Sequence, residues 1–278
     1  MQHMTETERY LFDLKGYMVI KSVLSMEQVK EINDAIDTVL HSRDVLGVSS
    51  YIHTGLDEET LEQGNKDPAR GPVDVYAGLL LDWGEPIRRL VGHEKILPYM
   101  IELIGPDLRL DHQYAIIMKS DSQYRGRHIL HSGGTPYSPS QYYHFRDHRF
   151  HNGLTVASFC LTDVPPGAGG FCCIPGSHKS NIPLPEIYAS ATGPPECVVQ
   201  IPMSAGDVLL FTEALTHGAL TWEAEHQRRA LLFKYCPGHL QWEKKSPFAS
   251  SDHPWNDCQR QLLELPYVGN RRPVDHEV

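Results

Sequence analysis

The chain has 278 residues with 41% hydrophobic residues, which is ordinary for a soluble globular protein and sufficient for one substantial core. Its formal net charge of −10 disfavours nucleic acid and anionic membranes as partners. No apolar run reaches the roughly 18 residues of a membrane span, and the N-terminus lacks the apolar segment of a secretory signal. The six cysteines have no Cys-x-x-Cys spacing, so we expect reduced thiols and a cytoplasmic protein.

No linker rich in serine or glycine divides the chain, so we predict a single domain over residues 1–278. Its parts are a helical N-terminal part over about 1–105, a jelly-roll core over about 106–240 and a C-terminal extension over 241–278.

Helical patterns dominate the N-terminal part. Ser25 and Gln28 have the spacing of a capping box, and the apolar residues after them recur at three- and four-residue steps, which predicts an amphipathic helix. Residues 41–75 show little periodicity and are expected to be mostly loop. From 76 to 104 the helical spacing returns around a Gly-Glu-Pro interruption, which predicts two helices.

Short apolar runs separated by Gly and Pro turns follow Pro106, without helices between them. Within residues 153–179, two such runs flank the turn sequence DVPPGAGG, which predicts a β-hairpin buried on one face. The whole pattern is typical of the α+β class with a mainly β core. We predict an antiparallel sandwich or jelly roll with the N-terminal helices packed outside it.

Two residues in the last β-rich stretch can carry chemistry. Arg228 begins a buried run, and a buried guanidinium must meet an anion or reach water because an unpaired buried charge is costly. His217 stands eleven residues before it. Taken singly, such an Arg usually reaches water and such a His is usually structural, but their occurrence together favours a binding site.

The stretches GLTVASFCLTDVPPGAGGFCCIPGSHKSN, GDVLLFTEALTHGAL and RRALLFKY resemble the phytanoyl-CoA dioxygenase family of iron(II)- and 2-oxoglutarate-dependent oxygenases. The opening GYMVIKSVLSMEQVKEIN fits the same family, so the resemblance extends over about 12–235. It implies a double-stranded β-helix, or jelly roll, with Fe(II) at one open end. It also implies hydroxylation of a small organic substrate by O2, while 2-oxoglutarate becomes succinate and CO2.

The resemblance implies a role for several residues. His217 matches one metal ligand, and Arg228 matches the residue that pairs with the distal carboxylate of 2-oxoglutarate. Met118 and Ser158 are expected to border the same cosubstrate. The family's first ligand motif, His-x-Asp, is absent from this region.

We predict His131 as the missing first ligand, because it follows an apolar pair and precedes a Ser-Gly-Gly turn; His128 is the alternative. Gly133 then stands in place of the carboxylate. This His-x-Gly pattern resembles the related halogenases, in which the gap binds chloride or bromide. Glu213 and Asp147 are the acids that would restore a two-histidine, one-carboxylate site.

Halogenation is the rarer chemistry, so we favour hydroxylation with Glu213 as the third ligand. A jelly-roll binding protein without catalysis and a cupin-type metalloenzyme that does not use 2-oxoglutarate stay open as alternatives. Other histidines are expected to be solvated (His144, His148, His151) or structural (His178). Residues 125–149 form a loop that is long for a compact domain and predict a lid over the substrate.

Overall fold

A computed structural model describes residues 4–41, 52–54, 75–120, 129–189, 196–244 and 252–274. Its helices are α1 (Glu6–Lys15), α2 (Met26–His41), α3 (Glu85–Arg88), α4 (Leu97–Ile104), α5 (Glu186–Ala189) and α6 (Asp257–Leu262). Its strands are β1 (Tyr17–Ile20), β2 (Ile52–Thr54), β3 (Val75–Gly78), β4 (Leu108–Met118), β5 (Ile129–His131), β6 (Tyr143–Arg146), β7 (Arg149–Asn152), β8 (Thr155–Cys160), β9 (Gly170–Cys173), β10 (Val199–Gln200), β11 (Val208–Thr212), β12 (His217–Leu220) and β13 (Arg228–Pro237).

Two antiparallel sheets form the core. The larger has the strand order β1-β11-β8-β13-β4-β3-β2, and the smaller has the order β10-β9-β12-β5. Phe171 of the smaller sheet contacts Phe211 of the larger, with ring centroids 4.8 Å apart, so the sheets pack face to face. The predicted jelly-roll core with helices outside it is confirmed.

Side chains alternate between two apolar layers along the central strands, as the pleat of a sheet requires. In β11, Leu209 and Phe211 face the interior between the sheets, whereas Val208 and Leu210 face the helical layer. The outer layer is closed by apolar residues of α1, α2 and α4. The side chains on the inner face therefore line the space between the two sheets.

The predicted β-hairpin is wrong. Strand β8 lies between β11 and β13 in the larger sheet, whereas β9 lies between β10 and β12 in the smaller sheet. Both edges of β8 are thus occupied by other strands, and the connection between them crosses from one sheet to the other. Two apolar runs around a turn identify strands, but the pattern does not specify their partners.

The N-terminal part is less helical than its periodicity predicts. The capping box is confirmed, because Ser25 Oγ accepts from Gln28 N–H at 3.2 Å and Gln28 Oε1 accepts from Ser25 N–H at 2.8 Å. Residues 75–78 form β3 on the edge of β4, however, so the predicted helix does not begin at 76. Most of 41–75 lies outside the described residues, but β2 pairs there with β3.

All six cysteines are free thiols. Across the described ranges, no helix combines the length and apolar character needed to cross a bilayer.

Asp207 connects the turn before β11 to the end of β1. Its carboxylate accepts from the Nζ of Lys21 at 2.7 Å and from the backbone N–H groups of Ser22 at 3.0 Å and Ser204 at 2.9 Å. Burial raises the pKa of Asp207, but these donors lower it by more, so the pKa lies below its ordinary value. The carboxylate therefore stabilises the junction in its ionised form.

We predict that Asp207→Asn lowers the free energy of unfolding by about 1–3 kcal/mol at neutral pH, because buried donors lose a charged acceptor. The native pKa is depressed, so this stabilisation is present above the unfolded pKa and is lost as the pH falls through the folded pKa. Urea denaturation at several pH values should show that the difference in the free energy of unfolding between variant and wild type becomes smaller below about pH 4. A difference that stays constant or widens in acid would contradict this account.

Candidate metal and cosubstrate site

Strand pairing brings two distant histidines together at one end of the smaller sheet. His217, at the start of β12, lies opposite His131, at the end of β5, and their ring centroids are 4.2 Å apart. The same ladder places His217 opposite Cys173 of β9. The convergence predicted for these two imidazoles is thus present.

His217 is held in the tautomer that a metal ligand needs. Its Nδ1 lies 2.7 Å from the carbonyl oxygen of Leu215, so Nδ1–H donates there and Nε2 keeps its lone pair. The side chain is buried, and burial lowers the pKa of His217 more than the Glu213 carboxylate raises it. The imidazole is therefore neutral and can bind a cation.

His131 is an exposed residue at the end of β5, and its Nδ1 lies 3.0 Å from Ser132 Oγ. Neighbouring protein atoms desolvate the ring, and with His217 beside it they lower the pKa of His131 to about 3. Two neutral imidazoles consequently face one space.

The backbone after His131 suits glycine. Ser132 and Gly133 both have positive φ, 65° and 128°. A Cβ at position 133 would lie 3.0 Å from Thr216 Oγ1, in a conformation that side chains rarely adopt. The local conformation therefore also disfavours an aspartate at position 133, where the His-x-Asp motif would place one.

Glu213 is the nearest acid to the two histidines among the ion pairs of this region. Its Oε1 lies 3.8 Å from His217 Nε2 and 2.8 Å from Lys234 Nζ. Burial raises the pKa of Glu213, but Lys234 and the two histidines lower it by more, so the pKa falls to about 2. Two atoms that bind one metal at ordinary distances lie about 3 to 4 Å apart, so the separation from His217 is compatible with a shared ion.

The Glu213 carboxylate is nevertheless already paired with Lys234. Within the described part of the chain, no three His, Cys, Asp or Glu side chains are gathered as a ready metal site. Glu213 would have to exchange Lys234 for the metal. The ligand role predicted for it stays a prediction.

Arg228 is a buried cation without an acidic partner in the described ranges. It is 3% exposed, its Nη1 lies 3.4 Å from Met118 Sδ, and its Nε has no hydrogen-bond partner. Sulfur is a weak acceptor and does not neutralise a guanidinium. Burial lowers the pKa of Arg228, with smaller opposing effects of two thiols, and the group still stays protonated. An anionic ligand would remove the cost of this burial.

Gly170 leaves the space that Arg228 occupies. A Cβ at Gly170 would lie 2.7 Å from Arg228 Nε. Gly170 pairs with Leu220, three residues from the pair of His217 with Cys173. Three residues of strand correspond to about 10 Å, so the guanidinium and the histidines are separated by a distance suited to a short dicarboxylate.

Inward-facing side chains line the space between these two ends. Ser158 is buried on the inner face of β8, between Val156 and Cys160 in alternation, and Tyr114 of β4 stays partly accessible. Met118 contacts Arg228, and its predicted contact with the cosubstrate stays a prediction. The contact predicted for Ser158 stays a prediction.

The other candidates lie apart from this arrangement or outside the described residues. His144, His148 and His151 are exposed on the β6–β7 hairpin, and Asp147 is exposed in its turn. His178 is buried, with Nε2 3.0 Å from the Asp13 carbonyl oxygen and its ring 4.5 Å from Tyr143. Residues 125–128 of the lid predicted over 125–149, including His128, lie outside the described residues, and the role of the lid stays a prediction.

Sequence reasoning missed Lys234. The signal was present, because a lysine follows Leu231, Leu232 and Phe233 in a run that must be buried. A buried ammonium needs an acid, and Glu213 is that acid.

Comparison with known proteins places the chain in a family. Residues 12–230 match the family model described as phytanoyl-CoA dioxygenase (PhyH). No curated protein matches the chain.

Several solved structures are similar. HygX from Streptomyces hygroscopicus, with nickel, 2-oxoglutarate and hygromycin B bound, is 22% identical, with a TM-score of 0.68 over 95% of this chain and 96% of that chain. The epimerase SnoN, in complex with Fe3+, alpha ketoglutarate and nogalamycin RO, is 18% identical, with a TM-score of 0.59 over 94% of each chain. The carbocyclase SnoK from nogalamycin biosynthesis is 19% identical, with a TM-score of 0.59 over 97% of this chain and 96% of that chain. At such identities the likeness demonstrates a common fold.

The family match covers far more than half of the residues and includes both His217 and Arg228. The chain therefore belongs to the phytanoyl-CoA dioxygenase family.

Proposed function

We propose that the protein is an iron(II)- and 2-oxoglutarate-dependent oxygenase that hydroxylates a small organic substrate, with conversion of 2-oxoglutarate to succinate and CO2. Arg228 is the observation that carries this proposal. It is a buried guanidinium without a carboxylate partner in the described ranges. It packs against Gly170, which lies three residues along β9 from Cys173, the strand partner of His217. A metal at the histidines and a dicarboxylate reaching Arg228 would satisfy both ends of the space.

His131 and His217 would hold the metal, with Glu213 as the third ligand in place of the missing Asp. The donor set fits ferrous iron, which two histidines and one carboxylate bind in many oxygenases. Iron, when bound with 2-oxoglutarate, supplies the activation of oxygen that C–H hydroxylation requires.

The residues of the chain position and isolate the reactants. Arg228 presents a planar fork of donors to the distal carboxylate, and Gly170 leaves room for it. The hydrogen bond to Leu215 keeps His217 Nε2 directed away from the backbone. Apolar side chains such as Leu232 and Phe171 line the interior and exclude water, which strengthens the charge pairing there.

The similar structures support the cofactors and the class of substrate. HygX binds nickel, 2-oxoglutarate and hygromycin B, and SnoN binds Fe3+, alpha ketoglutarate and nogalamycin RO. By analogy we propose a small-molecule substrate for this chain. The six free thiols are compatible with the cytoplasmic location that we also propose.

A 2-oxoglutarate-dependent halogenase is the second candidate. The observation that favours it is the backbone at Gly133, whose positive φ and close approach to Thr216 disfavour any ligand side chain there. The engagement of Glu213 by Lys234 would then leave a coordination position for chloride or bromide.

Binding of 2-oxoglutarate tests the role of Arg228, and it is the first of three tests of the proposed function. Anaerobic addition of Fe(II) and 2-oxoglutarate to the wild type should give a weak visible charge-transfer band. Arg228→Ala should raise the Kd for 2-oxoglutarate at least about 10-fold, because charge-assisted hydrogen bonds contribute about 1.5–3 kcal/mol each. Arg229→Ala is the matched control, since Arg229 pairs with Asp37 at 2.7 Å on the helical side of the sheet.

No band from the wild type would indicate a binding protein without catalysis. Metal-dependent activity that needs no 2-oxoglutarate and survives unchanged in Arg228→Ala would instead indicate a metalloenzyme that does not use 2-oxoglutarate. A band that is unchanged in Arg228→Ala would contradict the role proposed for Arg228.

The second prediction concerns the metal. His131→Ala and His217→Ala should each weaken Ni(II) binding, measured by calorimetry without oxygen. The loss should exceed the roughly 10–100-fold that follows from removing a group that only orients a ligand. His144→Ala, which removes an exposed imidazole, should bind as the wild type does. Equal binding by all three variants would refute the two-histidine site.

The third prediction separates hydroxylase from halogenase. Glu213→Gln keeps the shape of the side chain but removes its charge. With Glu213 as a ligand, the variant should bind Ni(II) at least about 10-fold more weakly, and halide should leave the wild-type band unchanged. Unaltered metal affinity, together with a wild-type band that shifts on addition of bromide, would favour the halogenase instead. Circular dichroism would confirm that the variant folds despite the loss of the Lys234 partner.

A further inference from the structure

A bulge in the β4–β13 ladder lies beside the candidate site. Lys234 pairs with His112, but the next residue, Tyr235, pairs with Leu110. Asp111 is therefore the extra residue of a β-bulge. Bulges near active sites redirect a side chain that regular pairing would send elsewhere.

Asp111 organises the residues around it. Its Oδ2 lies 2.6 Å from His112 Nδ1, and its carboxylate accepts the backbone N–H groups of Trp242 at 2.8 Å and Glu243 at 3.1 Å. Arg109 Nη1 also lies 3.3 Å from it. Burial raises the pKa of Asp111, but His112 and the two backbone donors lower it below its ordinary value. An ionised Asp111 thus orients His112 and fixes the backbone at Trp242 and Glu243.

His112 is the central ring of an aromatic stack. It lies 5.9 Å from the Tyr114 ring and 5.2 Å from the Trp242 ring, both at small interplanar angles. Its side chain is only 9% exposed, and its Nδ1 is engaged by Asp111, which leaves Nε2 as the ring nitrogen for a ligand. Trp242, in contrast, is 51% exposed. A nearly buried imidazole thus lies beside an aromatic face that is open to solvent.

The stack is continuous with the candidate metal site. His112 and Lys234 are cross-strand neighbours, so their side chains share the inner face of the larger sheet. Lys234 Nζ lies 5.1 Å from the Tyr114 ring and 2.8 Å from Glu213 Oε1, which in turn is 3.8 Å from His217 Nε2. One ion pair separates the aromatic stack from the histidines.

We propose that this stack is a subsite for the primary substrate and that it selects a neutral, polyhydroxylated ring such as a sugar or cyclitol. This inference rests on the proposed function. An apolar ring face would lie against Trp242, and a ring hydroxyl would hydrogen bond to His112 Nε2. The nitrogen Nδ1 is occupied by Asp111, so Nε2 is the ring nitrogen that pairs with a substrate hydroxyl. Lys234 and Glu213 neutralise each other, which removes the attraction for a charged substrate.

The three residues have different roles. His112 and Trp242 contact the substrate and determine its class, whereas Asp111 is a positioning residue that acts through both of them. Removing Asp111 should weaken ring binding without affecting the 2-oxoglutarate end, because Arg228 lies at the opposite end of β13.

The test measures ring binding apart from turnover. Ligand-observed saturation-transfer NMR and tryptophan fluorescence would be recorded for the anaerobic protein with the uncharged probes myo-inositol, a methyl glucoside and sucrose, with and without Ni(II) and 2-oxoglutarate. At least one probe should bind the wild type saturably. His112→Ala and Trp242→Ala should each raise its Kd about 10-fold or more, as loss of a hydrogen bond or a ring contact does. Asp111→Asn should also weaken binding.

His253→Ala is the matched control, because His253 also pairs with an aspartate, Asp82, at 3.0 Å and lies 5.5 Å from a tryptophan ring, that of Trp255, but belongs to neither sheet. It should bind the probe as the wild type does. Failure of all three probes to bind the wild type would overturn the subsite, as would equal binding by the wild type, His112→Ala and Trp242→Ala. Every variant is also assayed for the charge-transfer band: ring binding without a band in the wild type would refute the proposed function alone, and a band without ring binding would refute the subsite alone.

Discussion

The antiparallel pairing of β12 with β5 and β9 is the constraint on which the candidate site depends. It places His217 opposite His131 and, three residues further along, sets Leu220 opposite Gly170, against which Arg228 lies. Strand geometry thus fixes the distance between the histidines and the guanidinium. A slip of one residue in this small sheet would turn His217 to the other face and dismantle both ends together.

Charge burial explains why the interior is suited to ligands as well as to packing. Arg228 is buried, and no acidic side chain among the described residues pairs with it. The packing of the two sheets must offset the free-energy cost of burying this charge. Lys234 and Glu213 show the opposite solution, a buried pair whose members neutralise each other. Arg228 can therefore receive an anionic cosubstrate, whereas Lys234 is already paired with Glu213. An anion that binds only the folded chain also stabilises it.

The sequence was sufficient for the fold class, the capped helix α2 and the convergence of His131 with His217. His217 belongs to a family motif, whereas His131 and the helix cap leave local signals. The sequence did not predict the features that depend on which β-strands pair with each other. β8 and β9 look like a hairpin but enter different sheets, and β3 has helical spacing but pairs with β4. The bulge at Asp111 leaves no trace in composition, so the stack of His112 on Trp242, far apart in the chain, appears only in three dimensions.

The central claim is that one metal is shared by two histidines and that one dicarboxylate extends from it to Arg228. A crystal structure of the anaerobic protein with Ni(II) and 2-oxoglutarate tests this most directly. We expect a nitrogen of His131 and Nε2 of His217 at about 2.1 Å from the same ion, and the distal carboxylate of 2-oxoglutarate on the Arg228 guanidinium. A metal bound by only one of these histidines, or a 2-oxoglutarate molecule whose carboxylate lies away from Arg228, would contradict the account.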